Sequence, residues 1–236
     1  MTVRISGRKN DEIRETTIQR NFLKYPEGSV LITQGNTKVI VTASIMEFVP
    51  KFLEGSGTGW ITAEYSMLPR ATQIRNSRDK TRGRTIEIQR LIGRSIRAAF
   101  NSEKIGERTI RIDCDVIQAD GGTRCASITG AFVAVFDAIN YLYNEQLIYE
   151  FPSYITTAAI SVGIKNDELL LDLDYYEDSK VDVDFNIVMN ENLEYVEIQG
   201  TAEGATFSKK YLNDVLKLGD KGISELIQIQ KKVLNI

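Results

Sequence analysis

The densest concentration of chemistry in the 236-residue chain is the run Ala119-Asp120-Gly121-Gly122-Thr123-Arg124. An alternating apolar run precedes it and a longer amphipathic one follows, so it reads as a strand-to-helix junction. Paired glycines allow a backbone path that other residues resist, and Thr123 can cap the helix. The first-turn amides are unpaired donors beside the Arg124 guanidinium, which together make a receptor for a phosphate-sized anion. Taken alone, the junction also fits a plain glycine turn with a capping threonine. A second constellation is acidic. Asp178, in Glu177-Asp178-Ser179, lies just before a strand in which Asp182, Asp184 and Asn186 share one face. Clustered carboxylates repel one another and are either solvated or bound to a cation.

The chain has no histidine, which decides what that cation and the chemistry are. A Ser-His-Asp or Cys-His nucleophile, a histidine-ligated zinc and the commonest neutral-pH base are all excluded. An oxygen-only site suits Mg²⁺, Mn²⁺ or Ca²⁺. The charge is also unevenly distributed. Net charge is only −3, yet residues 70–111 carry twelve basic and four acidic side chains, and residues 164–203 carry two basic and twelve acidic. Ten of those twelve basic residues are arginine, whose planar fork suits phosphate better than a lysine point charge does. One segment can attract polyanions and the other cations.

These groups need a framework. With 42% hydrophobic and 26% charged residues the composition is that of an ordinary globular protein. A chain of this length can bury roughly 70–75% of its unfolded surface. Cys114 and Cys125 are too few for a disulfide scaffold and lack zinc-ligand spacing, which predicts a reducing compartment. No secretory signal is visible near the start, and no unbroken apolar stretch of about 18 residues suggests a membrane span, so a cytoplasmic location away from membranes is expected. Strands are predicted over Ser29–Gln34 and Thr37–Met46, joined at Gly35-Asn36, and over Trp60–Tyr65 and Glu107–Gln118. The stretch Leu68–Gly83 reads as a loop. Helices are predicted over Arg84–Phe100, with Ile88, Leu91, Ile92, Ser95 and Ala99 inward, and over 123–143, with a buried stripe of Ile128, Phe132, Val135, Phe136 and Ile139. Arg90, Arg94 and Arg97 line another face of the first helix. Further on, a hairpin at Asn166-Asp167 joins Thr156–Ile164 to Glu168–Leu173, and strands follow over Asp182–Met189 and Leu193–Gln199. Two helices, Ser208–Leu218 and Asp220–Leu234, are expected to split at Gly219. Neither GxGxxG nor a P-loop motif occurs.

Residue patterns alone therefore give a single α+β domain with an arginine-rich surface, an anion-binding helix start and an oxygen-only metal site. Those are sufficient parts for chemistry on a phosphodiester. The runs Gly59–Tyr65, Gly83–Arg90, Asp113–Arg124, Glu177–Ser179 and Glu197–Gly204 resemble the bacterial ribonuclease PH family, in order and across nearly the whole chain. The resemblance implies one ribonuclease PH-type α+β domain, with mixed sheets and flanking helices, over residues 1–236. Its halves would span about 11–143 and 155–234. It further implies a phosphate-dependent 3′→5′ exoribonuclease that trims tRNA precursors, with ribosomal RNA as a second candidate substrate, releases nucleoside diphosphates and assembles as a homohexamer, a trimer of dimers. Carried over, the phosphate site falls on Arg84, Gly122, Thr123 and Arg124. The catalytic and metal-binding pair falls on Asp178 and Asp184, with Mg²⁺ or Mn²⁺ expected. Arg70, Arg75, Arg78, Arg82, Arg90, Arg94 and Arg97 are the expected RNA contacts. A non-catalytic RNA-binding ring subunit and a hydrolytic nuclease are the competing readings.

Overall fold

The computed structural model describes residues 4–77, 83–203 and 206–236. Arg78 and Arg82, two of the expected RNA contacts, lie outside the described residues. Alternating sequence builds β1 (Thr16–Arg20), β2 (Gly28–Gln34), β3 (Thr37–Met46), β4 (Trp60–Met67) and β5 (Thr109–Gln118). They form a mixed sheet in the order β1-β2-β3-β5-β4, in which only β4 and β5 run parallel. A second, antiparallel sheet contains β6 (Thr157–Lys165), β7 (Glu168–Leu171), β8 (Val183–Asn190) and β9 (Tyr195–Ala202), ordered β7-β6-β8-β9. Both predicted hairpins form. Gly35 alone takes positive φ in the first, whereas Asn166 and Asp167 both do in the second, so two different primed-type turns close them. The short strand β1, which the sequence pattern did not single out, pairs along its whole length with β2.

Among the described residues four α-helices join the sheets: α1 (Gly83–Ala99), α2 (Thr123–Asn144), the single turn α3 (Tyr175–Asp178) and α4 (Lys209–Leu234). The predicted inward face of α1 is buried, joined by Ile96. Helix α2 departs from its expected single stripe. It lies between the two sheets, touching β2, β3 and β5 on one side and β6 on the other, and is buried nearly all round. By length and composition it could cross a membrane, but here it is the core helix. Close approach is needed for this position: a Cβ on Gly28 would stand 1.8 Å from the Ala134 carbonyl oxygen, and one on Gly130 would meet Ile32 and Val41.

The expected break at Gly219 does not occur. Helix α4 runs unbroken through Gly219 and Gly222 because both face the second sheet. A Cβ on Gly219 would approach Ile187 to 2.6 Å, and one on Gly222 would approach Ile160 to 2.6 Å and Leu171 to 2.9 Å. The glycines are there for packing, and neighbouring apolar contacts offset their poor helix propensity.

Two stability predictions follow from this packing. By propensity, Gly222→Ala would stabilise α4 by about 1 kcal/mol, but overpacking of this kind costs about 1–3 kcal/mol. The variant should therefore unfold at lower urea than the parent, and an increase in its midpoint would refute the packing account. Glu191 ties the turn after β8 to α4, accepting from the Thr156 amide at 3.0 Å and pairing with Lys231. Burial by itself raises the Glu191 carboxyl, but the Lys231 and Thr156 bonds outweigh it and hold the group below its ordinary value. A depressed folded value stabilises above the unfolded one and is lost as pH falls through the folded one. Glu191→Gln should thus cost up to about 1 kcal/mol at neutral pH. That deficit should shrink below the ordinary glutamate value of about 4.3, as denaturant titrations at several pH values would reveal.

Candidate active site

The turn after β5 is built by its glycines. Gly121 and Gly122 take φ of +73° and +65°, the left-handed region. The turn lies hard against the chain entering α3: a Cβ on Gly121 would fall 2.5 Å from the Leu173 carbonyl oxygen and 2.8 Å from the Tyr175 nitrogen. Gly122 is the N-cap of α2, and no side chain caps the helix. By contrast Ser208 caps α4, and a capping box closes α3. The expected Thr123 cap is replaced by something else: its hydroxyl lies 2.8 Å from the Tyr65 hydroxyl, both buried. Burial raises the Tyr65 phenol, while the bond to Thr123 and the nearby charges of Arg84 and Arg124 oppose that.

Arg124 is 17% exposed, lies 3.7 Å from Glu87 of α1 and donates at 3.1 Å to Gln199 of β9. Arg84 is exposed in the first turn of α1 and acts electrostatically on both Tyr65 and Asp178. Two guanidiniums and an uncapped helix start thus share one cleft.

The acidic side reaches the same cleft from the second sheet. The carboxylate of Asp174 accepts from the Glu177 amide at 2.9 Å, and Glu177 returns the bond at 3.1 Å, fixing the turn that ends at Asp178. Asp184 lies on the face of β8 opposite Phe185 and Ile187, which pack toward α4. Its neighbour on that face, Asn186, accepts from Cys125 of the first turn of α2 at 3.4 Å. Solvent reaches both aspartates, yet the protein crowded around them raises each carboxyl above its ordinary value. For Asp178 the charges of Arg84, Arg124 and Arg14 oppose the rise; for Asp184 the Asp178 charge adds to it. Neither thiol is a nucleophile candidate, since burial pushes Cys125 up to about 12 and raises Cys114 as well.

Of the predicted arginine row, Arg90 is exposed, on a groove between Glu87 and Arg94 of α1 and Glu197 and Gln199 of β9. Arg94 is paired with Glu197 across that groove. Arg97 turns away, its guanidinium 4.4 Å from the Trp60 ring centre and 2.8 Å from the Ile61 carbonyl oxygen. Arg70 and Arg75 are exposed on a turn that Ala119 holds to the end of β5 through a 2.8 Å bond to the Ala71 carbonyl. Sequence reasoning did not pick out Tyr65, Glu87 or Gln199 individually. Each falls in one of the runs that carry the family resemblance, which was the available signal. Chemically, two guanidiniums and the free amides of a helix start suit an anion, and two aspartates lie within electrostatic reach of the same arginines.

Comparison with known proteins identifies the family. The model for domain 1 of the 3′ exoribonuclease family matches residues 12–139, and that for domain 2 matches residues 156–222. Ribonuclease PH of Bacillus velezensis is 58% identical over 237 aligned residues, covering 98% of this chain and 97% of that one. The Bacillus subtilis enzyme is 57% identical with the same coverage. Among solved structures, a chain of the Archaeoglobus fulgidus exosome with RNA bound to the active site superposes with a TM-score of 0.83 at 22% identity, covering 95% of this chain and 91% of that one. The two domain models and the two full-length relatives, both ribonuclease PH, lead to a single assignment: the chain belongs to the 3′ exoribonuclease family.

Proposed function

We propose that residues 1–236 work as one ribonuclease PH-type domain, a phosphorolytic 3′→5′ exoribonuclease that trims tRNA precursors with phosphate as co-substrate. The observation that carries this is the meeting of Arg84, Arg124 and the uncapped start of α2 with Asp178 and Asp184 in one cleft. In this reading inorganic phosphate is held by Arg84, Arg124, the Thr123 hydroxyl and the amides after Gly122. One of its oxygens attacks the phosphorus of the last internucleotide bond. The bond to the 3′ oxygen of the preceding nucleotide breaks, a proton passes to that oxygen, and a nucleoside diphosphate leaves. The nucleophile is already anionic near neutral pH, so a histidine-free chain lacks nothing the step requires.

Asp178 and Asp184 fit a Mg²⁺ or Mn²⁺ ion. They offer only oxygen, and the charge of Asp178 opposes ionisation of Asp184, a repulsion that a cation relieves. Among the described residues no group of three or more acidic, cysteine or histidine side chains could hold a metal. A carboxylate pair that leaves positions for water and substrate phosphate is the usual Mg²⁺ arrangement. When bound, such an ion neutralises charge on the scissile phosphate and the departing oxygen. Arg90, exposed on the groove, and Arg70 and Arg75, exposed on the turn beside the end of β5, are the RNA contacts of this reading, with Arg94 available where RNA displaces Glu197. Arg97 is committed to Trp60 and Ile61. A homohexamer built as a trimer of dimers, and a cytoplasmic location in keeping with two free thiols, complete the proposal.

Two assays test it. A 3′-extended tRNA incubated with Mg²⁺ should be shortened only when phosphate is present, with diphosphates as the released nucleotides. Monophosphate release without phosphate would establish a hydrolytic nuclease instead, and no release at all a non-catalytic subunit. Arg124→Ala should lower phosphorolysis by about 10²–10³-fold, the usual loss for one preorganised charge-stabilising donor, while RNA affinity stays near that of the parent. Turnover at the parent rate with saturating phosphate would remove Arg124 from the phosphate site.

A further inference from the structure

We propose that Arg14 and Arg4 are positioning residues for phosphorolysis, setting the spacing between the phosphate-binding turn and Asp178 through the buried carboxylates of Asp172 and Glu177. The inference rests on the functional reading above. Arg14 faces two ways. It grips Asp172 side-on, with Nη2 donating to Oδ1 at 2.7 Å and Nε to Oδ2 at 3.0 Å. It also donates through Nη1 to the Asp120 carbonyl at 2.5 Å and through Nη2 to that of Gly121 at 3.5 Å. One guanidinium therefore joins the turn before α2 to the residue that starts the approach to α3. Arg4 extends this one turn further along. Its Nε and Nη2 each donate to a Glu177 carboxylate oxygen at 2.6 Å, while Nη1 and Nη2 donate to the Leu171 and Asp172 carbonyls at 2.8 and 3.0 Å.

Glu177 immediately precedes Asp178 and closes the capping box of α3. Arg4 thus fixes the turn that aims Asp178, and Arg14 fixes that turn against the phosphate side. Between the two clamps the backbones touch directly, as the 2.5 Å separation of a Gly121 Cβ from the Leu173 oxygen indicates. Both arginine side chains are buried behind the turn. Buried ion pairs of this kind contribute little more than apolar packing of equal volume would. What they supply here is direction, because the planar fork fixes angles as well as distance.

The test compares parent, Arg14→Lys and Gly121→Ala in Mg²⁺-dependent phosphorolysis of a 3′-extended tRNA, with phosphate varied, RNA varied and thermal unfolding recorded for each. Lysine keeps the charge but cannot grip Asp172 side-on and reach the carbonyls together. Gly121→Ala wedges the same two backbones apart and leaves both ion pairs intact. Both variants should raise KM for phosphate and lower kcat, with kcat/KM for phosphate falling about 10²-fold, the scale for a misplacement near 1 Å. KM for RNA should stay within about twofold of the parent, far below that loss. A purely structural role would reduce the active fraction, lowering kcat without moving KM for phosphate. Folded variants with the parent's phosphate KM and kcat would overturn the inference. Should Arg14→Lys fail to fold, Arg4→Lys decides on the same split of KM against kcat, since it loosens the grip on Glu177. If the parent itself releases no diphosphate, the functional reading fails, which is a separate result.

Discussion

A single carboxylate, that of Asp172, carries more of this structure than any other polar group. It is 1% exposed, and stripping water from an ionised carboxylate costs several kcal/mol unless its lone pairs are refilled. Asp172 has about four acceptor positions, and four donors meet them: the Arg14 amide at 2.7 Å, Arg14 Nε at 3.0 Å and Nη2 at 2.7 Å, and Gln34 Nε2 at 3.1 Å. Those donors come from the chain before β1 and from the end of β2, while Asp172 directly follows β7 of the second sheet. Satisfying one carboxylate therefore locks the two sheets in register at the end where the cleft lies. Asp172 takes a φ of +56°, a conformation costly for a residue with a side chain, and the bonds hold it there.

The long-range charge pattern has the same origin. Basic and acidic segments lie far apart in sequence but face one another across the groove between α1 and β9, where Arg94 meets Glu197 and Gln199 links Arg124 to Glu87. Other charges of the two segments pair elsewhere in the chain, Arg108 with Glu47 and Asp172 with Arg14 among them, and the small net charge is the sum over the whole sequence. Arg70, Arg75, Arg84 and Arg90 remain exposed. Local potential, not net charge, governs attraction of a polyanion. A net charge of −3 is thus no bar to binding one.

What could be read from sequence was whatever is local. Alternation placed β5 and put Cys114 in the core, and a 3.6-residue period found the buried face of α1. The paired glycines marked the start of α2 because their positive φ is an intrinsic property. Reading failed where a distant partner overrides local preference. Gly219 looks like a break until Ile187 is seen against it, and Thr123 looks like a cap until Tyr65 takes its hydroxyl. Helix α2 looks one-sided until a second sheet covers its other faces. The Arg14–Asp172 contact spans 158 positions, and nothing near either residue announces it. The gathering of Arg84, Arg124, Asp178 and Asp184 is intermediate: family motifs indicated it, but only the sheet order explains it.

Placing arginines beside carboxylates has a further consequence for the proposed reaction. Burial raises the Asp178 carboxyl, and the charges of Arg84 and Arg124 oppose that rise and favour its anion, but the same charges repel a cation approaching it. A bound phosphate would neutralise those guanidiniums and strengthen the pull of Asp178 and Asp184 on a divalent ion. The ion, by screening the carboxylates, would in turn strengthen the hold on phosphate. Such coupling is reciprocal by thermodynamic necessity. It also accounts for chemistry without histidine: none of these cleft charges depends on a group whose ordinary titration lies near pH 6.5. The cleft's electrostatics would be switched by its two small ligands, each completing the field that the other needs.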